Sequence, residues 1–158
     1  MYKKILVPID GSATSVKGLE EAAKLAKLCG ASVRLMHIID PIPYTTGYEA
    51  VGTQTAHEIA SVEQAGQKLL DAGKRRVMDA GVADVDTVLV DRSAARISER
   101  VVEQAKSWNA DLIVLGTHGR RGVGRMLLGS DAEQTARIAP VPVLLVRATT
   151  DAADMVKA

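Results

Sequence analysis

The sequence predicts an α/β protein in which helices cover both faces of a parallel sheet, a three-layer α/β/α sandwich. Short apolar runs alternate with helical patterns along the chain in the order β-α-β-α-β-α-β-α-β. The runs lack a polar face, which is typical of parallel strands buried on both sides. Apolar residues make up 47% of the 158, Phe is absent and Trp occurs once, so the core must be aliphatic. This length and composition suit one domain.

The N-terminal segment predicts a strand followed by an Ala-rich helix. Residues 5–9 are rich in isoleucine and valine and form the first strand, which places Asp10 at a carboxyl end. Ser12 fits the N-cap of the first helix, and Gly30 fits the position just after its end. The buried stripe of this helix recurs at helical spacing: Val16, Leu19, Ala23 and Ala26.

The second strand is predicted over residues 32–39. His37, near its end, is expected to be a packed or hydrogen-bonded side chain, because no second His or Cys stands at metal-ligand spacing. Residues 40–56 contain two prolines and two glycines and predict a loop. Its Tyr44 and Tyr48 either anchor the loop on the surface or close over a ligand.

The middle of the chain predicts two helices and two strands. The longest helix covers residues 57–80, with an inner side formed by Ile59, Val62, Leu69, Leu70 and Val77. A strand over 86–90 follows. Ser93 or Ser98 then caps a helix with one apolar face, made of Ile97, Val101, Ala105 and Trp108. The fourth strand covers 112–115.

The last helix is predicted over residues 130–138. Ser130 and Glu133 have the spacing of a capping box, with Ser130 as the N-cap. Two prolines end this helix and lead into the last strand, residues 143–146. The tail after residue 148 is polar and weakly patterned.

A glycine-rich loop between the fourth strand and the last helix is the main functional signal. Strand, glycine-rich loop and helix N-terminus in this order make a phosphate site. Glycine lets the backbone approach an anion and adopt positive φ, while the helix start offers unpaired N–H groups. Arg120, Arg121 and Arg125 add positive charge. A P-loop is excluded because its lysine is missing, and no dinucleotide fingerprint follows any strand. From these residues alone, a phosphate site and a plain surface loop both remain open.

Four segments together resemble the universal stress protein family, in the family's order and over nearly the whole chain. The spacing Gly116-x2-Gly119-x9-Gly129-Ser130 resembles its nucleotide-binding signature. Residues 3–12 (KKILVPIDGS) resemble its first strand and aspartate, and residues 37–40 (HIID) the end of its second strand. Residues 140–147 (PVPVLLVR) resemble its last strand.

The resemblance implies a Rossmann-like fold of the adenine nucleotide alpha hydrolase type, with strand order 3-2-1-4-5. Residues 1–148 would form one domain and 149–158 a polar tail. Asp10 and Gly116 would then face each other across the crevice where the strand order reverses.

The resemblance also implies ATP as the ligand, with or without Mg²⁺. The residues implied for its adenosine end follow the first two strands: Pro8, Ile9, Asp10 and Ile38. Those implied for the ribose and phosphates belong to the loop and the last helix: Gly116, His118, Gly119, Arg120, Gly129, Ser130 and Asp131. Because carboxylates in the first helical turn repel phosphate, binding requires Asp131 to point outward or a Mg²⁺ to lie between.

The function implied is that of a non-enzymatic, ATP-binding regulator of a stress response, with slow or no hydrolysis. No nucleophile or activated base is recognisable beside the loop, and His118 reads equally well as an exposed loop residue. Two alternatives stay open: a slow nucleotide hydrolase or transferase of the same fold, and an interaction module that binds no nucleotide.

Composition limits the partners. The net charge of +1 does not favour nucleic acid or a membrane surface. The single cysteine, Cys29, excludes an intrachain disulfide, and no signal or spanning segment is recognisable, so a cytoplasmic location is expected. The resemblance and the predicted sheet edge both indicate a homodimer through the last strand: Val143, Leu144, Leu145 and Val146.

Overall fold

The computed structural model describes residues 1–39, 56–92, 95–117 and 129–147. The elements in chain order are β1 (Lys4–Pro8), α1 (Ala13–Cys29), β2 (Ser32–Ile39), α2 (Ala56–Asp79), β3 (Val85–Asp91), α3 (Ile97–Trp108), β4 (Leu112–Gly116), α4 (Ser130–Ile138) and β5 (Val143–Val146). The predicted alternation is therefore confirmed. None of the described helices is long and apolar enough to cross a membrane.

The strands form one parallel sheet in the order β3-β2-β1-β4-β5, which confirms the expected topology. β1 lies at its centre, with Ile5 paired with Val33 on one side and with Leu112 on the other. Since the chain turns one way from β1 to β2 and the other way to reach β4, the strand order reverses between β1 and β4. In such sheets the ligand crevice opens beyond the carboxyl ends of these two strands.

Two aliphatic clusters cover the two faces of the sheet. The α1–α2 layer buries Val7 and Leu35 of the strands against Leu19, Leu70 and Val77 of the helices. The α3–α4 layer is built from a second set of strand and helix residues: Leu6, Met36, Val101, Ala105, Ile113 and Ala132. Successive residues of β1 thus enter opposite layers, as the alternation of side chains along a strand requires.

Helix α2 approaches the sheet through glycines. A Cβ added at Gly66 would lie 2.7 Å from Leu89 Cδ1, and one at Gly73 would lie 3.0 Å from Leu35 Cδ1. Both glycines are buried. Val62, which was expected on the inner side, is 37% exposed, so that prediction is wrong. The helix turns its glycines inward because the sheet leaves no room for larger side chains there.

The ends of α1 follow the prediction. Ser12 is the N-cap and its Oγ accepts a hydrogen bond from the Ser15 N–H at 3.2 Å. Gly30 is the C-cap in the left-handed conformation, with φ of 65°. An L-residue other than glycine is strained in this conformation.

The caps of the two later helices differ from the prediction. The N-cap of α3 is Arg96, whose backbone N–H donates to Glu99 Oε2 at 3.0 Å. Ser98 lies inside the helix and is buried, so it is not the cap, and Ser93 lies outside the described residues. The N-cap of α4 is Gly129, because the Glu133 N–H donates to the Gly129 carbonyl at 2.9 Å. Ser130 is instead the first helical residue.

The opposite end of the sheet, at the amino ends of the strands, is tied by charged side chains. Asp111 accepts hydrogen bonds from the N–H groups of Lys3 and Lys4, at 2.7 and 3.0 Å. Lys4 Nζ and Arg34 Cζ lie 5.4 and 4.7 Å from the centroid of the Trp108 ring. These contacts join β1, β2 and α3 far from the crevice, so we assign them to stability.

Candidate functional site

Asp10 lies in a turn that leaves β1 at the crevice. The Ile9 N–H donates to the Met36 carbonyl at 2.8 Å, so the sheet holds the chain up to the residue before Asp10. Asp10 Oδ1 then accepts the Ser12 N–H at 2.9 Å, the arrangement of an Asx turn. Gly11 has φ of +79°, which favours glycine at the centre of the turn. The backbone therefore fixes the orientation of the Asp10 carboxylate.

The first turn of α1 supplies a hydroxyl-rich wall beside Asp10. Thr14 and Ser15 are both buried. Ser15 Oγ donates to the Ser12 carbonyl at 3.0 Å and lies 3.4 Å from the Asp10 nitrogen. This turn contains no acidic residue, so the partial positive charge of the helix N-terminus is not offset there. The sequence reading missed Thr14 and Ser15, although the run of hydroxyl residues directly after Asp10 was the available signal.

Gly116, the last residue of β4, packs against this turn. A Cβ at Gly116 would lie 2.7 Å from the Thr14 carbonyl carbon and 2.9 Å from the Ser15 nitrogen. These are backbone atoms, which a side-chain rotation cannot move aside. Gly116 therefore allows the end of β4 to touch the start of α1. The approach of the loop backbone to a ribose, which the resemblance implied, stays a prediction.

Thr117, the residue before the glycine-rich loop, is hydrogen-bonded to Gly129, the residue after it. The Thr117 N–H donates to the Val146 carbonyl at 2.9 Å, and its own carbonyl accepts the Gly129 N–H at 2.8 Å. Thr117 is buried, with 4% of its surface exposed. The chain thus departs from β4 and returns to α4 at one fixed point. His118, Gly119 and Arg120, named from the resemblance, lie outside the described residues, as do Tyr44 and Tyr48.

The register of β1 and β4 brings these parts together. Ile5 pairs with Leu112 and Leu6 with Ile113. Gly116, at the end of β4, lies against the start of α1, and Thr117 bonds to Gly129 at the start of α4. The N-termini of α1 and α4 therefore open at the same crevice, beside a fixed carboxylate. Helix N-termini attract anions through their N–H groups and dipoles, and Asp10 can accept hydroxyl or amino donors.

The three apolar residues implied for a base pocket do not come together on one face. Ile9 is 6% exposed and packs in the α1–α2 layer, where its Cδ1 lies 3.2 Å from the Cβ position of Gly73. Ile38 packs instead in the α3–α4 layer. Pro8 is half-buried at the end of β1. Ile9 therefore contributes to the core, and contact of Pro8, Ile9 and Ile38 with a base stays a prediction.

His37 connects the end of β2 to the turn that carries Asp10. Its Nδ1 donates to the Ile9 carbonyl at 2.7 Å, which requires the proton on Nδ1. A Cβ on Gly66 would lie 3.0 Å from His37 Cδ2, so the ring lies against α2. The prediction of a packed, hydrogen-bonded histidine is confirmed.

At the start of α4, Gly129 has φ of −59°, which residues other than glycine also adopt, so close approach to an anion is the role left for this glycine. Ser130 and Asp131 are exposed. Glu133 is exposed and its Oε1 pairs with Arg137 at 2.8 Å on the helix surface. The carboxylates of the first turn therefore have solvent or a counter-charge available, which lowers the repulsion that an anion at this N-terminus would meet.

Comparison with known sequences gives one family. The model of the universal stress protein family matches residues 1–147. A universal stress protein of Methanocaldococcus jannaschii is 36% identical over 148 residues, covering 93% of this chain and 83% of its own. The universal stress protein YxiE of Bacillus subtilis is 32% identical over 152 residues, covering 93% of this chain and all of its own.

Solved structures share the fold. A universal stress protein of Lactobacillus plantarum superposes with a TM-score of 0.75 at 20% identity, over 92% of this chain and 98% of its own. A universal stress protein in complex with cAMP gives 0.69 at 23% identity, over 92% and 97%. The Archaeoglobus fulgidus protein in complex with dAMP gives 0.65 at 24% identity, over 92% and 98%.

Proposed function

This chain belongs to the universal stress protein family, and from that premise we propose that it is an ATP-binding, non-enzymatic regulator of a stress response that acts in the cytoplasm as a homodimer. The observation that carries the nucleotide part is the crevice between β1 and β4. There Asp10, the first turn of α1 and the start of α4 meet around the fixed ends of the glycine-rich loop. Two relatives of the same fold are described in complex with adenine nucleotides, cAMP and dAMP.

The adenosine end and the phosphate end of ATP would contact different groups of the protein. Asp10 would accept hydrogen bonds from the adenosine part, since its carboxylate is fixed by the Ser12 N–H. The phosphates would lie at the N-terminus of α4, where Gly129 has no side chain to hold them off the backbone. Asp131 is exposed, so it can turn away from the phosphates or share a Mg²⁺ with them. ATP would therefore fit with or without Mg²⁺.

We propose little or no hydrolysis because the described crevice side chains are already engaged with the backbone. Ser15 Oγ donates to the Ser12 carbonyl, so its proton does not lie on a base. The His37 Nδ1–H is used by the Ile9 carbonyl, and the ring lies under α2. A nucleophile needs a base within hydrogen-bond reach to be activated, and neither group has one among these contacts.

The dimer would form through β5, an edge strand of the sheet. Pro142 and Val146 direct their carbonyls to β4, accepting from Ile113 and Thr117 at 3.0 and 2.9 Å. Because strand residues alternate in direction, Val143 and Leu145 direct their N–H and C=O groups outward. Two such edges satisfy each other when paired antiparallel about a twofold axis.

The nucleotide proposal is tested by two measurements on the full chain. Nucleotide released from freshly purified protein by acid should be adenine nucleotide in stoichiometric amount. By calorimetry, Gly129→Val should weaken ATP binding at least about tenfold, since the new side chain occupies the space that the phosphates need. Its circular dichroism should match the wild type, because φ of −59° suits valine.

Ser130→Ala is the matched control for overall damage at the helix start. Ser130 is exposed and is not the N-cap, so its loss should leave stability unchanged and cost at most one hydrogen bond to a phosphate. Equal ATP affinity in wild type and Gly129→Val would refute a phosphate position at α4.

A further inference from the structure

A second cavity lies behind the turn that carries Asp10, between α1 and α2. Its volume is about 230 Å³. Ile9, Leu19 and Leu69 form apolar walls, and Ala72 and Gly73 of α2 complete it on the helix side. The cavity lies in the α1–α2 layer, and it involves neither the start of α4 nor Thr117. It borders the proposed nucleotide crevice through Gly11 and Ser15, and it extends from there between α1 and α2 as far as Ala72 and Arg76.

The cavity exists because α2 presents small residues at this level. Ala72 is exposed and Gly73 is buried, so these two neighbouring positions of the helix add almost no side-chain volume. A Cβ on Gly73 would already contact Leu19 and Ile9 Cδ1 at 3.2 Å each. The inner side of the cavity is therefore tightly packed and fixed. Its open side lies at Ala72, where a larger side chain can be added without disturbing the core.

A positive charge marks one end of this apolar space. Arg76 belongs to the lining, and its side chain is 56% exposed. Its ion pair among the described residues is with Glu20, at 3.9 Å. That is the outer limit of an ion pair and too long for a hydrogen bond. Glu20 accepts a closer hydrogen bond from Lys17 at 3.0 Å, and this bond lowers the pKa of Glu20 and keeps it ionised.

We propose that this cavity binds a small hydrophobic carboxylate, with the hydrocarbon part between Leu19 and Leu69 and the carboxylate on Arg76. The guanidinium can donate two hydrogen bonds to a carboxylate at about 2.7–2.9 Å, in place of its long contact with Glu20. Ser15 also lines the cavity, but its hydroxyl donates to the Ser12 carbonyl, so Arg76 is the group that would hold the carboxylate. Apolar walls with few polar groups at one end are typical of sites for amphipathic ligands.

The volume sets the chain length. An apolar cavity of about 150 Å³ holds benzene, which has six carbons. By proportion, the 230 Å³ of this cavity holds about nine carbons. Affinity should therefore rise along the series butanoate, hexanoate, octanoate, by a few-fold for each methylene that is buried. It should level off at dodecanoate, because the added methylenes remain in water.

The test is a titration of the full-length protein with these four acids, followed by calorimetry and by ¹H–¹⁵N NMR. Octanoate should bind saturably and shift the amide signals of Leu69, Ala72 and Gly73, which line the cavity but not the crevice. Arg76→Gln keeps the length and polarity of the side chain but removes its charge, and should weaken octanoate binding about tenfold. Ala72→Phe should abolish saturable binding by filling the open side.

Two control variants separate these effects from general changes in α2. Arg75→Gln removes the positive charge of a neighbouring residue that does not line the cavity. Ala65→Phe enlarges an exposed alanine about two helical turns before Ala72. Both should bind octanoate with wild-type affinity. The proposal is overturned by absence of saturable binding in the wild type, by equal binding in Arg76→Gln and Ala72→Phe, or by shifts confined to residues around Thr117. ATP calorimetry on the same samples reports the nucleotide crevice separately.

Discussion

Replacing Gly116 by alanine tests whether contact between β4 and α1 builds the crevice. The added Cβ would lie 2.7, 2.8 and 2.9 Å from the carbonyl carbon and oxygen of Thr14 and the nitrogen of Ser15. Real Cβ atoms do not approach other atoms so closely. Since all three atoms are backbone at the start of a helix, either α1 or the end of β4 must shift.

The expected cost follows from this geometry. Overpacking a tight site costs about 1–3 kcal/mol, and the upper part of that range applies here because no rotamer change relieves the contact. For a chain of this size, about 1 kcal/mol lowers Tm by roughly 2–4 °C. We therefore expect Gly116→Ala to lower Tm by about 6–12 °C. A shift of α1 also moves Ser15 relative to Asp10, so ATP affinity should fall at least about tenfold.

The assay is differential scanning calorimetry, with ATP titration of the folded variant at a temperature well below its Tm. Gly18→Ala is the matched control, because Gly18 faces Gly116 from α1. Its added Cβ would lie 3.4 Å from the Gly116 nitrogen, an ordinary contact. Alanine also gains about 1 kcal/mol of helix propensity over glycine, so Gly18→Ala should leave Tm unchanged or raise it slightly.

Two results would refute this reasoning. A Tm of Gly116→Ala within about 2 °C of the wild type would mean that the contact yields without cost. Lost stability with unchanged ATP affinity would mean that the end of β4 and the start of α1 do not form the site.

Three further predictions concern assembly, chemistry and pH. Leu145→Pro removes an N–H that faces the free edge of β5, so light scattering should report a monomer. Leu145→Ala keeps that N–H and should stay a dimer. A dimeric proline variant would mean that the interface lies elsewhere. Single-turnover ATP hydrolysis should take minutes or longer, and turnover near 1 per second that is lost in His118→Ala would contradict the non-enzymatic proposal. Burial raises the pKa of Asp86, but hydrogen bonds from Arg34 and from the Thr87 N–H lower it by more than burial raises it. The pKa of Asp86 is therefore below the ordinary value. The stability that ionised Asp86 contributes is present at pH values above the ordinary Asp pKa. It is lost as the pH falls through the lowered pKa of Asp86 in the folded protein. At neutral pH Asp86→Asn should therefore have a lower Tm than the wild type, and this difference should shrink as pH falls below the ordinary Asp pKa; a Tm difference independent of pH would show that the ion pair contributes nothing.

The sequence by itself determined the fold class. Apolar runs without a polar face can be buried only in a parallel sheet covered on both sides, so their alternation with helices left one architecture. Asp10 and Ser12 were predictable because turn and cap chemistry depends on neighbouring residues in the chain. The strand order came from family resemblance, since local patterns contain no information on which strands are neighbours.

Tertiary structure alone decided which residues touch. Gly116 has no room for a side chain because the backbone of Thr14 and Ser15, about one hundred residues earlier in the chain, lies against it. On the inner side of α2 lie Gly66 and Gly73, and Val62 is exposed instead. The distance between helix and sheet is set by packing, and helical periodicity does not predict that distance. Ser130 matched a capping box, yet the hydrogen bond from Gly129 to Thr117 fixes the start of α4 one residue earlier. The cavity beside Arg76 likewise requires α1 and α2 to be in position, since no single segment contains its walls.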